Sequence, residues 1–248
     1  MTLDPSSLHP AATRGLAAPS GAHQARWRPG LASDCRHGEV FAPGNEASGA
    51  GLALALALDA MRVADPAGTP RAKPWLWVQD KAARRLGGRP YGPGLPAELR
   101  HRLIHVAADT TEDALFALEE GLRCRDLAFV IGEIAGNPRA LGLTSSRRLS
   151  LAAERHGVLL WLVRLDARRD LGSARMRWDV RSAPSPSPRW NAQAPGVPSW
   201  GVELFRAHNH QPGQWILRDA APLAAEPAPT PHPGDLAGAA GARSLAAG

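Results

Sequence analysis

Two short segments, residues 127–131 (LAFVI) and 158–163 (VLLWLV), are apolar at every position. An extended strand points successive side chains to opposite faces, so a strand apolar throughout must be covered on both sides. That is the position of a central strand in a parallel sheet with helices above and below it. The segments around these two fit that demand. Residues 39–42, 75–78 and 103–107 read as three further strands. A helix is expected after residue 109, capped by Asp109 or Thr110 and presenting Leu115, Leu118 and Leu122 on one face. Another begins near Thr144, with Leu149, Ala152, Ala153 and His156 on one face and Gly157 placed to end it. The run LALALALDAM (52–61) alternates Leu with Ala. Both are strong helix formers and neither is β-branched, so it reads as a buried helix.

Beyond residue 170 the pattern changes. Residues 175–181, 200–206 and 214–218 alternate polar with apolar, and a turn-like HNHQPG (208–213) joins the last two. Antiparallel strands are expected there. The fold class is therefore α/β, a mainly parallel sheet flanked by helices with an antiparallel C-terminal extension. The folded domain is expected over residues 37–219. Residues 1–36, rich in Pro, Ala, Gly and Ser, read as a disordered or loosely docked segment with Trp27 as its one anchor. Residues 220–248 read as a flexible low-complexity tail.

Composition narrows the function classes. Two cysteines, Cys35 and Cys124, exclude a disulfide framework or a cysteine-rich zinc module and suit a reducing compartment. No apolar run approaches the roughly 20 residues that span a bilayer, and residues 1–15 have no apolar stretch suited to a signal peptide, so a cytoplasmic protein without membrane contact is expected. The formal charge of +6 is weak evidence for a nucleic-acid or acidic-protein partner, because arginine supplies nearly all of it.

The loop after the first strand carries the main functional signal. A phosphate-binding loop reads G-x-x-x-x-G-K-[ST] between a strand and a helix. Here Gly44-Asn45-Glu46-Ala47-Ser48-Gly49-Ala50-Gly51 keeps both glycines at that spacing. Ala50 stands where the lysine belongs and Gly51 where the hydroxyl belongs. The charge that reaches the terminal phosphates and the oxygen that holds magnesium are both missing, and Glu46 adds a repelling charge. At the end of the fourth strand, Gly132 occupies the position expected for a magnesium-orienting acid, with Glu133 one step later, on the opposite face by strand alternation. The loop reads as a degenerate nucleotide cradle in a protein that is not an enzyme and needs no cofactor. A plain strand–helix turn is the competing reading. A dinucleotide site is disfavoured because Leu54 takes the third glycine position.

Other residues are less pointed. His101 with His105, and His208 with His210, lack a carboxylate or cysteine cluster, so no metal site is expected. Ser145, Ser146 and Ser173 sit in no nucleophile motif. Trp178, Trp190, Trp200 and Trp215 gather near the C-terminal strands, where most should cover the sheet, though a tryptophan there could stack bases or anchor a partner. Between residues 139 and 181 ten arginines face four acids, the best basic stretch in the chain. Arg175, Arg177 and Arg181 alternate along one strand, suggesting a face for DNA or an acidic partner.

Several segments together resemble the ImuA family of RecA/SulA-like proteins. They are residues 38–57, 75–95 with its YGPGL turn, 146–164, 173–186 and 200–219, in which ELFRA…PGQWIL is the most characteristic. The resemblance implies a RecA-like P-loop NTPase core and an accessory role in SOS-induced, error-prone translesion DNA synthesis. It implies partnership with ImuB, a Y-family polymerase homologue, and with an error-prone DNA polymerase; RecA or DNA are further candidate partners. The comparison with RecA places DNA contacts on the loops after the fourth and fifth strands, here residues 133–145 and 165–174. These hold Arg139, Arg168 and Arg169, with Arg164 at the strand end. An ATP-using RecA paralogue and an unrelated dinucleotide enzyme are the alternatives.

Overall fold

The computed structural model describes residues 35–64, 73–208, 211–220 and 223–228. Trp27, His210 and the stretch beyond residue 228 lie outside the described residues, as do the expectations placed on them.

One nine-stranded sheet organises the chain. Its strands are β1 (His37–Ala42), β2 (Trp75–Gln79), β3 (Leu103–Ala107), β4 (Phe129–Ala135), β5 (Leu159–Leu165), β6 (Met176–Ser182), β7 (Ser199–Ala207), β8 (Gly213–Arg218) and β9 (Ala224–Pro227), in spatial order β3-β2-β4-β5-β1-β6-β7-β8-β9. β3 through β6 in that order are parallel, and β7, β8 and β9 are antiparallel. The fold class read from alternation therefore holds. β9 lies within residues expected to form a tail, so the sheet runs past Asp219. Low-complexity composition hid it, because four residues paired along one edge need little apolar content of their own.

Helices cover both faces. On one lie α1 (Ser48–Ala64), α2 (Lys81–Gly87) and the short α3 (Ala97–Arg100); on the other lie α4 (Thr111–Arg123) and α5 (Leu143–His156). Leu52, Leu56 and Ala57 of α1 pack on Val40, Ile131, Trp161 and Trp178. Leu115, Leu118 and Leu122 of α4, with Leu149 and Ala153 of α5, pack on Val78, Val130 and Leu160. The expected caps form. Thr110 accepts from the Asp113 amide at 3.0 Å, and Gly157 ends α5 at φ 72°. α2 had no sequence expectation. Asp80 caps it, accepting from the Ala83 amide at 2.7 Å. Among the described residues no helix is long and apolar enough to cross a membrane.

A buried ionic cluster ties the sheet to the loop after β5. Arg177 of β6 donates to Glu39 of β1 at 2.6 Å and to the Asp170 backbone oxygen at 2.7 Å, and both charged side chains are nearly fully buried. Arg164 of β5 reaches Asp170 at 3.1 Å and the Gly136 carbonyl at 3.1 Å. The guanidinium of Arg177 lies 5.0 Å from the Phe41 ring centre and 5.4 Å from that of Phe205. Burial alone would raise Asp170; the hydrogen bonds from Arg164 and Asn137 outweigh it and hold its carboxyl below the usual range. A neighbouring hydroxyl chain docks the same loop on α5. His37 Nδ1 is 2.7 Å from Ser150 Oγ, which is 2.7 Å from Ser173 Oγ. Burial pushes His37 down to about 3, so the ring stays neutral.

Removing one partner of such a pair leaves a charge stranded in the interior. Arg177→Ala is expected to lower the unfolding free energy in urea by about 3 to 5 kcal/mol, whereas Arg177→Met combined with Glu39→Leu should cost far less. Equal losses for the two variants would show that the pairing is not what matters.

Candidate functional site

The loop between β1 and α1 sits where the carboxyl ends of β1, β5 and β6 meet, the edge at which open α/β sheets bind ligands. Both glycines of the motif are needed for packing. A Cβ at Gly49 would stand 2.7 Å from the Ala42 Cβ and 2.8 Å from Val163 Cγ1, so α1 presses directly on the sheet. At Gly44 it would stand 2.6 Å from Asp166 Oδ2.

Two carboxylates of the protein itself hold the loop. The Gly44 amide donates to Asp166 Oδ1 at 2.8 Å. Asp166 follows β5 directly and adopts φ 50°, the one positive φ outside glycine among the described residues. Glu46 accepts from the Ser182 amide at 2.8 Å and from its hydroxyl at 2.9 Å. Those bonds to Ser182, backbone first, hold the Glu46 carboxyl below its ordinary range. At Gly51, where a phosphate loop carries its hydroxyl, a Cβ would lie 3.3 Å from the Trp200 ring. A magnesium-binding side chain there would meet indole. The first amide of the cradle is thus taken by an internal anion, and a polyphosphate would approach two carboxylates with no lysine to offset them.

The end of β4 corrects one expectation. Gly132 faces away from α1: a Cβ there would touch Leu118 and Leu162 at 3.0 Å. Glu133 shares the α1 face with Phe129 and Ile131. Sequence alternation had the two faces reversed, because it could not tell which one α1 would cover. Glu133 is buried and accepts from Gln79 Nε2 at 2.5 Å. Gln79 also donates to the Gly88 carbonyl at 2.9 Å and accepts from His105 Nε2 at 2.9 Å. Burial raises the Glu133 carboxyl to about 7 against the bond from Gln79.

The arginines expected to bind DNA or a partner divide into three groups. Arg164 and Arg177 are only 1% and 4% exposed and belong to the ionic cluster, so they form no binding face. Sequence alternation could not see that β6 lies inside the sheet with a loop laid over it. Arg175 pairs with Glu154 at 2.8 Å, and Arg169 with Asp179 and Glu203 while lying 4.1 Å over the Phe205 ring. Arg139, Arg168 and Arg181 are exposed, on three different segments. The loops after β4 and β5 are stitched together by Asn137, which accepts from the Arg168 amide at 2.8 Å and donates to Asp170 at 2.8 Å.

Beside the first turns of α1 lies a groove of about 730 Å³. Ser48, Gly51 and Leu54 of α1, Pro93–Ala97, Ser182–Ala183 and Trp200 line it, with Asp219 at one side. Sequence reading missed Asp166, Ser182 and Trp200 as parts of the site. Only the position of Asp166, immediately after an apolar strand, offered a local signal.

No family model matches the chain. It is 34% identical over 168 residues to Protein ImuA of Caulobacter vibrioides, in strains NA1000 / CB15N and ATCC 19089 / CIP 103742 / CB 15. The match covers 64% of this chain and 63% of that protein's length.

Because its folded carboxyl prefers the proton, Glu133 contributes most to stability below the unfolded value of 4.5, and that contribution is lost as pH rises to about 7. Denaturation between about pH 5 and 8 should show wild type losing on the order of 3 kcal/mol relative to Glu133→Gln. Parallel pH profiles would contradict a buried, proton-bearing Glu133.

Proposed function

We propose that the chain, which is similar to Protein ImuA of Caulobacter vibrioides over 64% of its length, is a member of that family and a non-catalytic accessory protein of error-prone translesion DNA synthesis. It acts through an ImuB-like Y-family polymerase homologue and an error-prone polymerase, on a RecA-like core whose phosphate loop no longer takes nucleotide. The observation that carries the non-catalytic part is the Gly44 amide bonded to Asp166, in a loop with Ala50 and Gly51 at the two functional positions. A cradle filled by its own carboxylate can still serve as a rigid strand–helix junction, which a docking scaffold requires. The parallel strands followed by an antiparallel extension support the RecA-like reading. We assign the protein to the cytoplasm with its DNA-bound partners.

One observation favours a second reading, an ATP-using RecA paralogue. Glu133 lies buried on the α1 face at the carboxyl end of β4 and is raised to about 7, as suits a general base. Without a cation or a hydroxyl in the loop, that base has no held phosphate to serve.

Calorimetric titration with Mg-ATP is expected to give no saturation at millimolar concentration and no turnover above background. Pull-down of the ImuB homologue encoded in the same genome should succeed with and without nucleotide. Micromolar, magnesium-dependent ATP binding would replace the adaptor with the ATPase.

A further inference from the structure

The two edges of the sheet are built differently. At one edge β9 closes on Pro227 and carries Glu226, which pairs with Arg218. Proline and charge are common guards of an exposed edge, because they discourage a further strand from adding. At the other edge β3 reads Leu103-Ile104-His105-Val106-Ala107. It has no proline, no lysine and no acid, and it pairs with β2 in unbroken register. Ile104 is 45% exposed, and every residue of the strand is exposed or half-buried.

Hydrogen bonds at the ends of β3 show which main-chain groups are free. The Trp75 amide donates to the Arg102 carbonyl at 3.0 Å, and the Ala108 amide to the Gln79 carbonyl at 2.9 Å. Residues 102 and 108 therefore turn their peptide groups toward β2. By strand alternation Ile104 and Val106 do the same. Leu103, His105 and Ala107 turn theirs outward, where among the described residues nothing meets them. The result is a row of alternating amides and carbonyls along one line. An extended main chain supplies matching acceptors and donors at that spacing.

Side chains select the kind of segment. Leu103 and His105 stand on the face that α2 covers, in register with Trp75 and Trp77, whereas Ile104 and Val106 stand on the face of α4. Burial, then the charges of Arg89 and Arg84, holds the His105 imidazole below its ordinary value, so both guanidinium groups lie beside the strand. Arg84 is engaged, by the Ala108 carbonyl at 2.9 Å and by Asp109 at 3.3 Å. Arg89 is exposed and Arg102, immediately before the strand, is half-buried; neither has an ion pair among the described residues. A strand laid along β3 would put alternate side chains beside Arg89 and His105 and the others over Ile104 and Val106. Acids suit the first set and apolar residues the second. A second copy of β3 would bring the same arginines to both sides of the seam, where like charges oppose each other.

We propose that β3 is a docking edge for an extended segment of a partner protein that alternates acidic with apolar residues, added as a further strand along the outward main chain of Leu103, His105 and Ala107. In the sheet β2, β4 and β5 separate this edge from β1 and the loop that follows it. The proposal therefore stands whether or not that loop takes nucleotide.

The test is fluorescence anisotropy of the full chain with labelled peptides of about seven residues, in which valine alternates with glutamate, serine or lysine. Saturable binding of the glutamate peptide is expected at low salt, with the serine peptide about tenfold weaker and the lysine peptide unbound. Bound peptide should slow hydrogen exchange at the Leu103, His105 and Ala107 amides. Ala107→Pro removes an outward donor and no bond to β2, so it should weaken binding about tenfold at an unchanged melting temperature. Arg89→Glu with Arg102→Glu should transfer the preference to the lysine peptide, a readout that does not depend on Ala107→Pro folding. Wild type that binds the peptides alike, or binds none, would overturn the proposal. So would a folded Ala107→Pro that binds as wild type does, or a charge-swapped variant that still prefers glutamate. A dimer in sedimentation whose same amides are protected without peptide would give the edge to a second copy and overturn it too.

Discussion

Arg177 donating to Glu39 in the interior of the sheet ties together two parallel strands and the loop laid over them. It links β6 to β1, and through Asp170 it reaches Arg164 on β5 and the loop between β5 and β6. That loop must cross the sheet without a helix of its own, because β5 passes over β1 to reach β6. An extended segment over a sheet face leaves polar backbone to satisfy. Here the Arg177 guanidinium does so at the Asp170 carbonyl, while that of Arg164 serves the Gly136 carbonyl in the loop after β4. Phe41 and Phe205 screen the cluster from water, which strengthens each bond within it. The same charges are therefore unavailable to DNA.

A similar logic governs the loop after β1. A phosphate cradle presents backbone amides that need an anion. This chain supplies one from within, Asp166, and turns a second carboxylate, Glu46, onto the neighbouring strand. The loop keeps its geometry because its glycines answer to packing as well as to ligand: Gly49 must let α1 rest on Ala42 and Val163. Those packing roles hold with Ala50 and Gly51 at the positions where a phosphate loop carries lysine and a hydroxyl. Persistence of the glycine spacing is no evidence of retained activity.

The tryptophans show how placement separates structure from function. Trp75, Trp77, Trp161, Trp178 and Trp200 are buried and Trp215 is half-buried, several of them in ring contact or under α1. Among the described tryptophans only Trp190, on the loop between β6 and β7, leaves its ring in solvent.

Period and composition determined much of this protein before any coordinate. Apolar runs on both strand faces required a parallel core, alternation required the antiparallel extension, and Thr110 and Gly157 marked helix ends where they occur. The absence of lysine and hydroxyl from the cradle was equally local, since spacing alone locates those positions. Tertiary structure decided what depends on which face is covered and what crosses it. Glu133 rather than Gly132 lies beneath α1, Arg164 and Arg177 are interior, and Asp166, just past the end of β5 and more than a hundred residues away, takes the Gly44 amide. A strand's pattern says that its two faces differ; only the packed helices and loops say which face is inside.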